Sequence, residues 1–556
     1  MSDLFKGSSR FYLLGYFLGF MVLMVGLFTP ELMEVDASQY ASISLEMSRN
    51  GSYLQVYHFG NNYLDKPPLI FWFSAILIKL FGASHAVYRF PTFVSTLIGI
   101  YATYKLGRRL YDKETGLLAG LFLLTSQAFI LHNHDVRTDT LLTNFVIFAI
   151  WQWKIYLDDR KWLNFIGTFT GIALAMLTKG PIGIMVPVLA IGSQLLYERN
   201  WKMIFNPRWF LGVLWVLVLL SPMLWGLYYQ FDANPEAEVN QRVGVSGLRF
   251  YFWEQSFGRL TGENVWKDDS SYFFFIHNYL WEFMPWAFLG LGGLWLRFKS
   301  AFLSKFRVEK AEVITIGGFI LPFIALSTSH YKLPHYILII MPLAAIMASN
   351  FTLYLITKKD HVLRNWSVFQ LVFAILVWFI GIAIMTRVFE ASFFWWALFF
   401  VALVLIVFSY ASELRLKLVV PSLIAIVALN FFLNGFFYPR INEYQVGSVL
   451  AEYVLDKDIE IDDMVLFRQH YHNLNFYSGR YYYWVPVEII RDTPVPFEYV
   501  FTNEEGLNIM QEYHLPYEID TVFYNFPNTE LSIEFLNKET RHNVLQENYL
   551  MRYRGN

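Results

Sequence analysis

Long apolar runs dominate this chain. About 20 consecutive apolar residues is the length that carries an α-helix across the hydrocarbon of a bilayer, where every backbone polar group must be paired within the helix itself. Thirteen such runs are legible, at about 11–29, 86–104, 116–132, 138–157, 163–178, 180–197, 209–229, 275–296, 312–328, 334–355, 366–386, 392–410 and 418–437. The composition agrees. Hydrophobic residues make up 56% and charged residues 16%, with 54 Phe, 35 Tyr and 18 Trp, whereas soluble domains carry about 25% charge. A disordered chain, a fibre and an ordinary soluble enzyme are excluded. There is no cysteine, which removes disulfide scaffolds, thiolate metal sites and cysteine nucleophiles. The first run is too long for a cleavable signal peptide and lacks a small-residue cleavage site, so it is read as a helix.

Orientation follows from lysine and arginine, which accumulate on the cytoplasmic side. With the N-terminus inside, the inner turns hold Lys105, Arg108, Arg109 and Lys113, then Arg199, Lys202 and Arg208, then Arg297, Lys299, Lys305, Arg307 and Lys310. The short outer turns hold only Arg137, Lys179, Lys332 and Arg387. Residues 30–85, 230–274 and everything after about 438 then lie outside. That last stretch has a net charge of −10, leaving +8 for the rest of a chain whose total is −2. Two domains are expected: a membrane domain at 1–438 and a small α/β domain at 439–556 on the outer face. In the first outer segment, Ala37–Met47 reads as a short helix with Asp36 as its N-cap. Pro67-Pro68 opens another helix through Leu80, too short to span and expected to lie at the interface.

Ionisable residues at a membrane boundary are costly and mark candidate sites. Here they gather on the outer side, which predicts an outward-facing polar cavity. Two carboxylates stand out, Asp36 after the first run and Asp139 at the start of the fourth. Either could serve merely as a helix cap. Lys66, Lys179 and Lys332 each precede a proline by one or two residues, where a helix restarts. One such lysine is explained by snorkelling. Three on the outer side, against the charge bias, point to an anionic ligand, with helix N-termini adding donors. His132 and His134 before Asp135 fit ordinary hydrogen bonding or, less readily, a metal. Gly290, Gly292 and Gly293 read as close helix packing. No Walker motif is present, so ATP-driven transport has no support.

In these motifs the sequence resembles glycosyltransferase family 39 of the GT-C superfamily. Its members include protein O-mannosyltransferases and the bacterial transferase that adds aminoarabinose to lipid A. The matching pieces are Val35-Asp-Ala-Ser-Gln-Tyr40, Tyr63-Leu-Asp-Lys-Pro-Pro-Leu69, Tyr88-Arg-Phe-Pro91, Arg137-Thr-Asp139, Leu177-Thr-Lys-Gly-Pro181 and Lys332-Leu-Pro-His-Tyr336. Their order and spacing relative to the runs also agree, over about 1–345. The resemblance implies a polytopic α-helical GT-C fold and a polyprenyl-phosphate sugar as donor, with the active site on the periplasmic face of a bacterial inner membrane. It implies that Asp36 is the catalytic carboxylate and Asp139 a second important acid, and that Lys66 and Lys332 help bind the donor phosphate. Asp65, Arg89, Arg137, Lys179, Glu254, Arg259 and His335 complete the expected substrate-binding set. In the aminoarabinose transferase, an acid before Lys-Pro-Pro and a His following a Glu hold a metal. This chain has Asp65 and the pair Glu254-Gln255, and Gln is a poor zinc ligand. No cofactor is required by the residues, and a divalent metal stays open.

The expected partners are the donor lipid, membrane lipids and an acceptor that is a glycolipid, a glycan or a protein. Nucleic acid is not expected. Two other functions share the architecture. A transporter or flippase of lipid-linked glycans would place ionisable groups at mid-membrane and show paired halves. A glycan ligase on a similar scaffold would differ only in its acceptor.

Overall fold

The computed structural model describes residues 8–255, 258, 270–303, 312–357, 360–411, 416–492, 497–527 and 531–554. Every apolar run falls on a helix or a broken pair of helices. The first nine helices are α1 (Ser8–Phe28), α2 (Asp36–Asn50), α3 (Leu69–Phe81), α4 (His85–Leu110), α5 (Lys113–Leu124), α6 (Gln127–His134), α7 (Thr138–Asp159), α8 (Trp162–Lys179) and α9 (Ile182–Tyr197). Among the described residues, six helices are long and apolar enough to span by length and composition, or seven when α5 and α6 count as one span bent by 54°. The shortfall from thirteen has two causes: α4, α7 and α8 are long enough but not apolar enough, and other runs are broken or short. The 275–296 run divides into Phe274–Glu282 and Ala287–Phe298 around Pro285, where proline removes a helical donor. Ile182–Tyr197 and Ile314–Ser327 are apolar but short.

Close backbone approach holds the bundle together. A Cβ on Gly116 of α5 would sit 2.4 Å from the Tyr104 carbonyl of α4, and one on Gly293 would sit 2.2 Å from the Met347 carbonyl. Both helix pairs therefore depend on glycine at the contact. Pro334–Ile356 runs through the interior, with 89% of its apolar window buried, while His361–Val388 and Phe393–Ala411 are only 28% and 22% buried. Their exposed faces are apolar, with Phe379, Phe393, Phe400 and Phe408 outward, as lipid contact requires.

Between α2 and α3 the chain forms a two-residue hairpin, β1 (Tyr57–His58) with β2 (Asn61–Asn62). Its turn has positive φ at Phe59 (54°) and Gly60 (73°), the pairing that suits a tight hairpin. The Glu46 carboxylate of α2 accepts both turn N–H groups, at 2.7 and 3.0 Å. A second small hairpin joins β3 (Glu238–Val239) and β4 (Arg242–Val243).

The tail forms a four-stranded mixed sheet from β5 (Met464–Phe467), β6 (Tyr499–Asn503), β7 (Tyr517–Asn525) and β8 (Gln546–Tyr553), in the order β5-β6-β8-β7. Only β5 and β6 run parallel. The sequence reads as helical at Val446–Val454 and Asn503–Tyr513, and helices Val446–Asp456 and Glu504–Glu512 lie there. Tyr481–Val485, whose aromatic and β-branched residues read as a strand in the sequence, forms only a single bridge, between Leu466 and Trp484. β8, which pairs with two neighbours at the sheet's centre, carries Glu547, Asn548 and Arg552 among its apolar residues and gave no strand signal.

Candidate active site

A cavity of about 670 Å³ opens where the α1–α2 loop, the stretch before α3, the α6–α7 turn and residues 331–336 meet. That is the size of a small-ligand pocket. Asp36, Asp65, Lys66, Arg137 and His335 line it, joined by Glu34, Gln39, Tyr63, Tyr331 and Trp281. Tyr438, at the end of the membrane domain, and Ile441 and Leu531 of the tail complete it. Ionisable groups that are far apart in sequence are therefore brought to one wall, because each lies at the end of a helix that terminates on the same side.

Asp36 is the first residue of α2 and its side chain caps nothing: the N-cap position belongs to Val35 and has no side-chain bond. The cap reading of Asp36 gives way to an ion pair. Nη1 of Arg137 donates to the Asp36 carboxylate, and Nε of Arg137 donates to Asp135 at 3.0 Å. The guanidinium thus bridges two carboxylates, a geometry suited to its planar fork. Asp135 is buried, which alone would raise its pKa. Arg137, His132 and His134 outweigh burial and hold the carboxyl below its ordinary value. His132 stands 3.9 Å from Asp135 by Nδ1.

Asp139, in the first turn of α7, is nearly buried and forms a second centre. The Lys179 ammonium, from the end of α8, donates to its two oxygens at 2.6 and 2.8 Å. His335 approaches Asp139 at 3.7 Å through Nε2. The same ammonium lies 3.7 Å from the centroid of the Tyr336 ring, a cation–π contact.

The three lysines do not share one wall. Lys66 lines the cavity, Lys179 is held by Asp139, and Lys332 donates to the Ser270 carbonyl at 2.8 Å. Arg89 is fully buried and spent on backbone: it donates to the carbonyls of Pro30 at 2.5 Å, Glu31 at 2.9 Å and His134 at 2.8 Å. Glu254 faces Arg249 at 3.5 Å and Arg242 at 3.8 Å. Arg259 lies outside the described residues.

Asp65 and Gln255, the positions of the relatives' metal pair, make other contacts. The Asp65 carboxylate accepts from the Asn240 amide at 2.9 Å, and the Gln255 amide N–H donates to the Asp65 carbonyl. An amide that turns its NH₂ group toward residue 65 presents no lone pair there. Among the described residues no group of three or more His, Asp or Glu side chains is arranged to hold a metal ion. The residues do not fit a metal.

Glu34 was the residue of the cavity wall that sequence reasoning passed over, although it lies two positions before Asp36. Its carboxylate accepts the Asn473 N–H at 2.7 Å. Burial raises its pKa to about 7, against hydrogen bonds from Asn473, Ser38 and His472 that favour the anion. Tyr438, Ile441 and Leu531 could not have been found by motif spacing, since they come from the far end of the chain and carry no local signal.

Comparison with known proteins identifies relatives. Residues 65–225 match the family described as dolichyl-phosphate-mannose-protein mannosyltransferase. The chain is 25% identical over 453 residues to an uncharacterized protein of Aquifex aeolicus (strain VF5), covering 80% of this chain and 82% of that one. It is 25% identical over 381 residues to the undecaprenyl phosphate-alpha-4-amino-4-deoxy-L-arabinose arabinosyl transferase of Enterobacter sp. (strain 638), covering 66% of this chain and 65% of that enzyme's length. In structure it is similar to ArnT from Cupriavidus metallidurans bound to undecaprenyl phosphate. There the TM-score is 0.73 at 18% identity, with 98% of each chain covered. The chain is thus similar to GT-C glycosyltransferases of the aminoarabinose-transferase kind, and it has their fold.

Proposed function

We propose that this chain is an integral-membrane glycosyltransferase that moves a sugar from a polyprenyl-phosphate donor to an acceptor on the outer face of a bacterial inner membrane. The observation that carries the reading is one cavity whose wall holds a carboxylate, Asp36, beside two cations, Arg137 and Lys66. The relatives named above support it, and the undecaprenyl phosphate bound by the Cupriavidus protein supplies the lipid class.

The chemistry follows from the leaving group. A glycosidase needs a general acid because it expels an alkoxide. Here the group expelled from the anomeric carbon is the polyprenyl phosphate, which leaves as a stable dianion because the second pKa of a phosphate monoester is about 6. Lys66, with the N-terminus of α3 three residues on, can hold that charge. The remaining task is to take a proton from an acceptor hydroxyl, which Asp36 can perform. Direct displacement inverts the anomeric centre. Where the acceptor's nucleophile is a phosphate, it is already anionic and Asp36 orients rather than abstracts. Asp139 and Lys179, ion-paired to one another, stand behind the wall and contact two of its residues, His335 and Tyr336.

In this reading residues 1–438 are the membrane domain and 439–556 an outer domain, with the cavity facing the periplasm. The acceptor is a glycolipid, a glycan or a protein. The deciding experiment is mass spectrometry of envelope glycolipids and glycoproteins from cells with and without the protein, beside binding of undecaprenyl phosphate by the purified chain. A protein-dependent sugar increment together with lipid binding supports the reading. Absence of both refutes it.

A further inference from the structure

The loop between α1 and α2 has no secondary structure of its own, yet Leu32 within it is fully buried. Buried backbone groups must find partners, and here they are supplied from two sides. Arg89 takes the carbonyls of Pro30 and Glu31. The tail supplies partners for Leu32 and Glu34. The Leu32 N–H donates to the Tyr477 hydroxyl at 2.8 Å. The Leu32 carbonyl accepts from the Asn473 amide at 2.9 Å and from the Gln445 amide at 3.3 Å. The Glu34 N–H donates to the Gln445 side-chain oxygen at 2.8 Å, and the Glu34 carboxylate accepts the Asn473 backbone N–H at 2.7 Å. Gln445 is 2% exposed and Asn473 fully buried.

Five hydrogen bonds from residues more than 400 positions away therefore converge on a stretch that ends two residues before Asp36. None of these tail groups lines the cavity, so they cannot act on substrate directly. They act through the loop. We propose that Gln445 and Asn473 are positioning residues that set where the Asp36 carboxylate stands, so that the tail completes the site rather than merely covering it. This rests on the transferase reading of the same cavity. A donor held by Lys66 does not depend on the loop, whereas attack by the acceptor does, because reacting groups must be placed to within a fraction of an ångström.

The test uses the full-length protein with Gln445→Ala and Asn473→Ala, and with Glu518→Gln on the exposed part of β7 as a control. Three quantities are read: sugar increment formed in cells per molecule of protein, binding of undecaprenyl phosphate by the purified chain, and hydrogen–deuterium exchange of residues 29–40. The proposal expects product per molecule to fall by about 10–100-fold, the size of effect that a misplacement of about 1 Å produces. Lipid binding stays within about threefold of wild type by the same argument, while exchange at 29–40 rises. Glu518→Gln should match wild type. A merely structural role would lower abundance and raise exchange through 446–553 with product per molecule unchanged, which overturns the proposal. If the alanine variants do not accumulate, Gln445→Glu and Asn473→Asp, which keep side-chain volume but lose the amide donor to Leu32, decide in the same way. Wild type that neither binds the lipid nor forms product defeats the transferase reading instead. In that case unchanged exchange at 29–40 in the variants still defeats the positioning claim separately.

Discussion

Replacing Asp36 with Asn separates chemistry from structure at the cavity wall. The substitution keeps shape and removes one negative charge. Its structural cost should be small, because Arg137 keeps Asp135 at 3.0 Å and Asp36 caps no helix. The Asp36 side chain is also 33% exposed, and ion pairs that water can reach contribute about 0–1 kcal/mol. Its chemical cost should be large. Loss of a general base lowers turnover by about 10²–10⁴-fold, or about 3–5 kcal/mol of barrier at 1.36 kcal/mol per tenfold. The assay is product per molecule on the true acceptor, with thermal stability measured in parallel. Turnover of Asp36→Asn within a few-fold of wild type on a hydroxyl acceptor would refute the reasoning.

Lys66→Ala should weaken binding of undecaprenyl phosphate by at least about tenfold, the loss of one charge-assisted phosphate contact. Lys332→Ala, whose ammonium is held by the Ser270 carbonyl, should weaken it less; calorimetry or native mass spectrometry would rank them. Asp139→Asn behaves unlike Asp36→Asn. It leaves the Lys179 ammonium, 11% exposed, without its carboxylate, a change that costs about 3–5 kcal/mol in buried pairs, so abundance and melting temperature should drop along with activity. His58, His470 and His472 pack together, with His58 and His470 each 4.9 Å from the His472 ring. Burial pushes their pKa values down to about 3, 4 and 2 from 6.5. A lowered folded-state pKa contributes stability above pH 6.5 that is lost as pH falls toward 4. His472→Gln should therefore flatten the decline in melting temperature between pH 7 and 4.5. A reporter fused after Tyr438 should read as external, and a cytoplasmic reading would overturn the topology.

Much of the architecture was legible because the physics behind it is local. Apolar runs, lysine asymmetry and Pro67-Pro68 each report on their own neighbourhood, and each run has a helix over it. The bend between α5 and α6 was not legible, since Thr125 and Ser126 bond back to the Leu121 and Leu123 carbonyls and carry no proline or glycine to announce a break. At the site, the short motifs delivered Asp36, Lys66, Arg137 and His335 to one cavity. They misjudged Arg89, whose charge is consumed by backbone carbonyls, and they overlooked Glu34, because a single acid beside a stronger candidate draws no notice. The meeting of Lys179 with Asp139 needed tertiary structure, as did every contact from the tail. Pairings between residues 40 or 400 positions apart leave no trace in spacing.

The unequal burial of the long helices bears on how such a chain ages over generations. Along Phe393–Ala411 most of the apolar window faces outward, so one oily side chain can replace another there with little consequence beyond its contact with lipid tails. Along Pro334–Ile356 nearly every side chain is surrounded by protein, and each exchange of volume must be answered by a neighbour. The outer helices are free to drift quickly and to adapt to membranes of differing thickness. The inner one should change slowly and in step with its surroundings, a record of descent written at two speeds in one polypeptide.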